Sequence, residues 1–114
     1  YLDGGKVDGT RIISTSQVET AKSSQISGLP VYYSPEPEGS GLNGYSFGWW
    51  ISDDALHPGS AGPEISDPGL LGATPWIDFG EGYTAIVLIN GTPAVGLAMF
   101  NAARADILQQ ISGD

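Results

Sequence analysis

Thr74-Pro75-Trp76-Ile77-Asp78-Phe79-Gly80-Glu81-Gly82-Tyr83-Thr84-Ala85-Ile86-Val87-Leu88-Ile89 is the stretch that decides the fold of this chain. Aromatic and β-branched residues flank a short turn rich in glycine, the pattern of an antiparallel hairpin. The first strand is expected over about Leu71 to Asp78 and its partner over Tyr83 to Ile89. Ile86-Val87-Leu88-Ile89 is an unbroken apolar run, which predicts a strand covered on both faces. Just before the hairpin, Ser66-Asp67-Pro68-Gly69-Leu70-Leu71-Gly72-Ala73 reads as a glycine-spaced strand edge. Backbone of that kind can lie against a ligand, so the stretch suggests one wall of an active site.

Downstream, Asn90-Gly91-Thr92-Pro93 is a turn into a helix. Thr92 can cap, and proline suits the first helical position. The spacing predicts a helix from Pro93 to about Ile111, with Val95, Met99, Ala102, Ala103 and Ile107 toward the sheet. Gly96 costs that helix about 1 kcal/mol relative to alanine, but permits close approach to a strand. Upstream, Tyr45-Ser46-Phe47-Gly48-Trp49-Trp50-Ile51-Ser52 reads as a strand, with Tyr45, Phe47, Trp49 and Ile51 on one face. Residues 28–43 and 53–65 read as loops, punctuated by Pro30, Pro35, Pro37, Pro58 and Pro63. Ser14 and Gln17 form a capping box for a short helix from Thr15 to about Ser24, with Val18 and Ala21 on its apolar face. Lys6 to Ile13 is a turn and a short extended piece. The order is helix, strand, strand, strand, long helix: an α+β fold on an antiparallel sheet.

Composition narrows the function classes. The chain has 114 residues, one domain's worth or a piece of one, and 40% of them are apolar, enough for a core. Four Lys and Arg against thirteen Asp and Glu give a net charge of -9, with no basic stripe to neutralise phosphates. Nucleic acid and anionic membrane surfaces are therefore not expected as partners. There is no cysteine, hence no disulfide framework and no thiol nucleophile. No apolar run approaches the roughly 18 residues of a membrane span. Tyr1-Leu2-Asp3-Gly4-Gly5 reads as the last turn of a helix with its glycine C-cap, which points to a preceding segment.

Three segments together resemble the β-lactamase-related serine hydrolases, the superfamily of class C β-lactamases, DD-peptidases and related esterases. The first is Leu2-Asp3-Gly4-Gly5-Lys6-Val7-Asp8-Gly9-Thr10-Arg11-Ile12-Ile13-Ser14, similar to the part of the helical domain that precedes the return to the sheet. The second is Gly44-Tyr45-Ser46-Phe47-Gly48-Trp49-Trp50, similar to the first strand after that return. In the third, Gly69, Gly72, Trp76, Ile77 and Asp78 fall at the family's spacing. The resemblance spans nearly the whole chain, but only about the last third of a full enzyme. It implies residues 1–43 as the tail of the helical subdomain with its linker, and 44–114 as the C-terminal part of the sheet-plus-helix domain of a β-lactamase/transpeptidase-like fold. It also favours a periplasmic or secreted location.

The resemblance implies a chemistry as well. Family members attack an acyl carbon with the serine of a Ser-x-x-Lys motif, and a tyrosine from a Tyr-x-Asn motif helps shuttle the proton. A third motif, Lys-Thr-Gly or a relative, lies on the inner edge strand, and the residue after its glycine gives a backbone N–H to the oxyanion hole. Such donors work because they are fixed before charge develops. Aligned on Gly72 and Trp76, the third motif falls on Asp67-Pro68-Gly69, and Leu70 would supply the N–H. Asp67 stands where the family has a cation or an aromatic residue. A carboxylate there repels the carboxylate of a β-lactam or peptide C-terminus, which leaves an ester or amide of an uncharged substrate. His57-Pro58-Gly59 is the rival placement and His57 the alternative catalytic residue, but it lies ten residues too early for Gly72 and Trp76 to follow in register.

No Ser in this sequence is followed three residues later by Lys, and there is no Gly-x-Ser-x-Gly elbow. Tyr32-Tyr33-Ser34 has the form of a relaxed tyrosine motif, yet it lies downstream of the Gly4-Gly5 segment and reads as a loop coincidence. Asp53-Asp54, Glu36 and Glu38 lack metal-loop spacing and read as exposed loop charge, so no metal and no cofactor are expected. Trp49, Trp50 and Trp76 read as core or interface aromatics rather than sugar platforms. Asn90-Gly91-Thr92 is a formal sequon that serves as turn and cap. The sequence therefore predicts the C-terminal portion of a serine hydrolase, inactive by itself. The alternative is a non-catalytic binding or structural module on the same scaffold; a third possibility is one chain of a nicked heterodimer. Either way an open sheet edge is expected, with self-association or a partner chain upon it.

Overall fold

A computed structural model describes residues 1–35, 42–52 and 62–113, the side chains of Leu42 and Asn43 excepted. His57 and its neighbours Pro58 and Gly59 lie outside these residues, as do Glu36, Glu38, Asp53 and Asp54.

The chain opens with a two-stranded ribbon, β1 (Lys6–Val7) and β2 (Thr10–Arg11). Asp8 and Gly9 turn it with φ of 49° and 78°, the left-handed pair that a tight hairpin demands. Arg11 Nη1 donates to the carbonyls of Gly4 and Ile13, both at 3.0 Å. Helix α1 (Thr15–Ala21) carries the expected capping box, Ser14 with Gln17, and buries Val18 and Ala21. It ends about three residues earlier than expected, at a C-cap on Lys22. After it, Gln25 N donates to Tyr45 O at 3.0 Å, and Ser46 Oγ donates to Thr20 O at 3.0 Å.

Among the described residues five strands form one antiparallel sheet, in the order β3 (Leu42–Ser46), β4 (Trp49–Ser52), β5 (Glu64–Ser66), β6 (Thr74–Asp78), β7 (Tyr83–Val87). Helix α2 (Pro93–Ser112), capped by Thr92, packs on β6 and β7. The class is α+β, as the sequence predicts. The 20-residue α2 is not apolar enough to cross a membrane, and no other described helix is long enough.

Cross-strand partners share a face, and the register sorts the sheet. Ser52, Glu64, Asp78 and Tyr83 form one row, and Tyr45, Trp50, Ser66, Trp76 and Ala85 the next. These rows face α2: Trp76 and Phe100 meet edge to face at 5.0 Å, and with Val87 they are the centre of the core. The row Ile51, Ile65, Ile77, Thr84 belongs to the opposite face, where Ser46 bonds to α1. Lys22 there lies over the Phe79 ring, 4.9 Å from its centroid.

Several expectations give way. Residues 45–52 are not one strand but a hairpin, β3 turning into β4 at Phe47-Gly48, where φ is 47° and 87°. Tyr45 therefore faces the same way as Trp50, not Trp49. The loop expected over 53–65 ends in β5, a strand of three residues buried throughout. The strand expected from Leu71 starts at Thr74, because Gly72, at φ 91°, closes a turn. The strand expected to reach Ile89 ends at Val87, and it is not covered on both faces: Ile86 is 51% exposed and Leu88 75%. On α2 the buried residues are Gly96, Phe100 and Arg104, while Val95, Met99 and Ala102 face outward. Ala103 and Ile107 do pack against the core. The face turns because Arg104, polar by type, is buried by an ion pair with Glu64 of β5.

The close approach foreseen for Gly96 is present. A Cβ on Gly96 would stand 2.1 Å from Gly72 O and 2.5 Å from Gly72 Cα. Helix and turn thus meet backbone to backbone, which fixes the position of the 67–73 segment.

Candidate functional site

Two segments far apart in sequence close on the outer end of the sheet. Tyr45 and Trp50, opposite each other on β3 and β4, meet edge to face at 5.1 Å. Trp50 is also opposite Ser66 on β5, so the chain leaves β5 beside an aromatic pair. Asp67 N still donates to Pro75 O at 3.1 Å, Gly69 N to Ala73 O at 2.8 Å and Gly72 N to Gly69 O at 2.9 Å. The segment is thus an ordered return rather than a loose loop. On the other side the bond from Gln25 to Tyr45 carries residues 26–33 past the edge of β3. Between them lies an open groove of about 510 Å³, lined by residues 26 and 29–33, Tyr45, Trp50, Asp67 and Pro68.

Of the residues singled out in the sequence, Asp67 and Pro68 line this groove. Gly69 and Leu70 continue past it into the Gly69–Gly72 turn, where Leu70 is 78% exposed. No acceptor among the described residues takes the Leu70 N–H, as suits a central residue of a turn and as an oxyanion donor requires. The third-motif segment differs from the implied arrangement in one respect. It leaves β5, which is paired on both sides by β4 and β6, not an edge strand.

The sequence reading missed the aromatic half of the groove. Tyr45 and Trp50 were placed on opposite faces by treating 45–52 as one strand. Tyr32 and Tyr33, set aside as a catalytic motif, line the groove and are strongly exposed. Two large side chains left in water between prolines were the available signal.

Among the described residues Asp67 is the one charged side chain on the groove lining. Of the four cations, Lys22 pairs with Glu19 at 3.0 Å and Arg104 is buried against Glu64. Lys6 and Arg11 belong to the β1–β2 ribbon. None of the four lines the groove.

Trp76, Asp78 and Tyr83, downstream, are structural. Asp78 is fully buried, and its Oδ1 accepts from Gly80 N at 3.0 Å and Glu81 N at 2.9 Å, pinning the β6–β7 turn. Trp76 Nε1 donates to the Tyr83 hydroxyl at 3.1 Å. Burial pushes the Tyr83 phenol above its ordinary value; the Trp76 bond opposes this, and the carboxylates of Glu64 and Asp78 add to it.

No protein-family model matches this chain, and no curated protein matches it.

Proposed function

We propose that this chain forms the third-motif wall and the sheet-plus-helix part of a β-lactamase-like serine hydrolase, which cleaves an ester or amide through an acyl-serine intermediate. The observation that carries the reading is Asp67-Pro68-Gly69-Leu70: a groove-lining carboxylate followed by an ordered turn whose Leu70 N–H is uncommitted. In the reaction, a serine hydroxyl attacks the acyl carbon, the leaving alcohol or amine departs with a proton, and water releases the acyl group. The nucleophile, its lysine and the tyrosine come from outside these 114 residues, and Leu70 N–H stabilises the oxyanion. Ester and nitrocefin assays test this. The chain alone gives no turnover; joined to its upstream coding region it hydrolyses p-nitrophenyl esters, while Asp67 disfavours anionic nitrocefin. Turnover by the chain alone that survives repurification overturns the reading. An upstream region without Ser-x-x-Lys favours the second reading, a non-catalytic binding module, which the groove itself supports because its lining joins aromatic and apolar surface to a carboxylate.

The outer edge of β7 is part of the same proposal. Among the described residues only β6 pairs with β7, and Ile86 and Leu88 stand in water beside the free edge. Such an edge recruits another strand. The isolated chain is expected to show a light-scattering mass that rises with concentration, and Ile86→Lys with Leu88→Lys returns it to the monomer. A constant monomer mass for the unaltered chain overturns the expectation.

A further inference from the structure

We propose that the groove beside Asp67 takes a cationic ligand, an ammonium group carried on a small apolar body. This rests on Asp67 as a wall of the binding groove, as the reading above does, but requires no turnover.

The walls supply three complementary features. Tyr32, Tyr33, Tyr45 and Trp50 contribute four aromatic rings. The π-face of such a ring attracts a cation, tryptophan most strongly. Asp67 adds a full negative charge on the same lining, and no lysine or arginine lies there to neutralise it. Leu29, Pro30 and Pro68 complete the lining with apolar surface suited to the ligand's body. The volume, about 510 Å³, lies within the range of small-molecule sites.

The alternatives fit less well. An anion meets the Asp67 carboxylate with no counter-charge. A neutral ligand uses the apolar surface but gains nothing from the charge, and leaves Asp67 partly desolvated beside it. The net charge of -9 acts in the same direction over longer range, drawing cations toward the chain. For the hydrolase this would make the preferred substrate an ester or amide bearing an ammonium group, in place of the uncharged substrates expected from the sequence.

The test uses three probes of similar size and different charge: benzyltrimethylammonium, benzyl alcohol and benzoate. Each is titrated into the chain, with tyrosine and tryptophan fluorescence as the signal. The ammonium is expected to bind saturably and roughly ten-fold more tightly than the alcohol, with no saturable binding of benzoate. Asp67→Asn, an exposed and nearly isosteric change, is expected to weaken the ammonium about five-fold without weakening the alcohol. Tyr32→Ala, also at an exposed position, weakens the ammonium by about three-fold. Equal affinity for ammonium and alcohol, or insensitivity of the ammonium to Asp67→Asn, overturns the proposal. Failure of the longer chain to hydrolyse esters bears on the hydrolase reading and leaves this binding result standing. Ester hydrolysis without ammonium preference does the reverse.

Discussion

Alanine at position 96 will destabilise the protein by about 2–3 kcal/mol, although Gly→Ala inside a helix ordinarily stabilises by about 1 kcal/mol. The reason is the contact between α2 and the turn before β6. The added Cβ meets Gly72 O at 2.1 Å, Gly72 Cα at 2.5 Å and Gly72 C at 2.6 Å. All three are backbone atoms, so no rotamer change can make room. Gly72 cannot yield easily: at φ 91° it is packed against Ile89 Cδ1 and Thr92 O, which would lie 2.6 Å and 2.7 Å from its own added Cβ. The helix must therefore lift from the sheet and loosen the cluster of Trp76, Val87 and Phe100. Urea unfolding monitored by circular dichroism measures the change. Ala98→Gly, at an exposed position of the same helix, supplies the control and should cost only the propensity term, about 1 kcal/mol. A Gly96→Ala variant as stable as the parent would show that the helix rides further from the turn than the structure has it. Because that turn carries Leu70, the substitution should also displace the N–H proposed for the oxyanion.

Removing either member of the Glu64–Arg104 pair is expected to cost about 3–5 kcal/mol, because a charge is left behind in a site closed to water. Arg104 Nε donates to Glu64 Oε2 at 2.5 Å, with side chains 6% and 1% exposed. Arg104→Met keeps the length of the side chain and removes the guanidinium that Glu64 Oε2 accepts from. Glu64→Gln leaves the guanidinium with a neutral partner and should cost somewhat less. The double variant Glu64→Leu/Arg104→Met removes both charges and should recover most of the loss, since apolar replacements of a buried pair are often neutral or stabilising. Equilibrium unfolding of all three variants decides this. Additive losses in the double variant would mean that the two residues act separately.

These two interactions also show what could and could not be read in the sequence. The hairpin at Phe79–Gly82, the capping box at Ser14 and the proline start at Pro93 each have a local cause within four residues, and each is present. The turn at Phe47-Gly48 has a local cause too, but a disguised one: phenylalanine is a poor occupant of φ 47°, so aromatic alternation was the stronger signal. Strand β5 is three residues long and owes its burial to neighbours on both sides. The buried face of α2 was hidden because Arg104 counts as polar until Glu64, forty positions away, is known to meet it. The groove was half legible: Asp67 and Pro68 followed from the glycine-spaced stretch. Residues 26–33 follow the Gln25–Tyr45 bond to it, which no spacing rule announces.

The order of strands has a kinetic consequence. Each strand of the sheet pairs with the next one in sequence, so the sheet can zip from any hairpin without first closing a distant loop, and such topologies fold quickly. The bond from Arg104 to Glu64 spans forty residues and joins the last helix to the middle of the sheet. It joins elements that must both be in place, so it is expected to form on the downhill side of the barrier. An interaction of that kind leaves the rate of folding nearly untouched and governs the rate of escape from the native state. The buried ion pair is thus expected to act as a latch: Arg104→Met should speed unfolding far more than it slows folding in stopped-flow measurements.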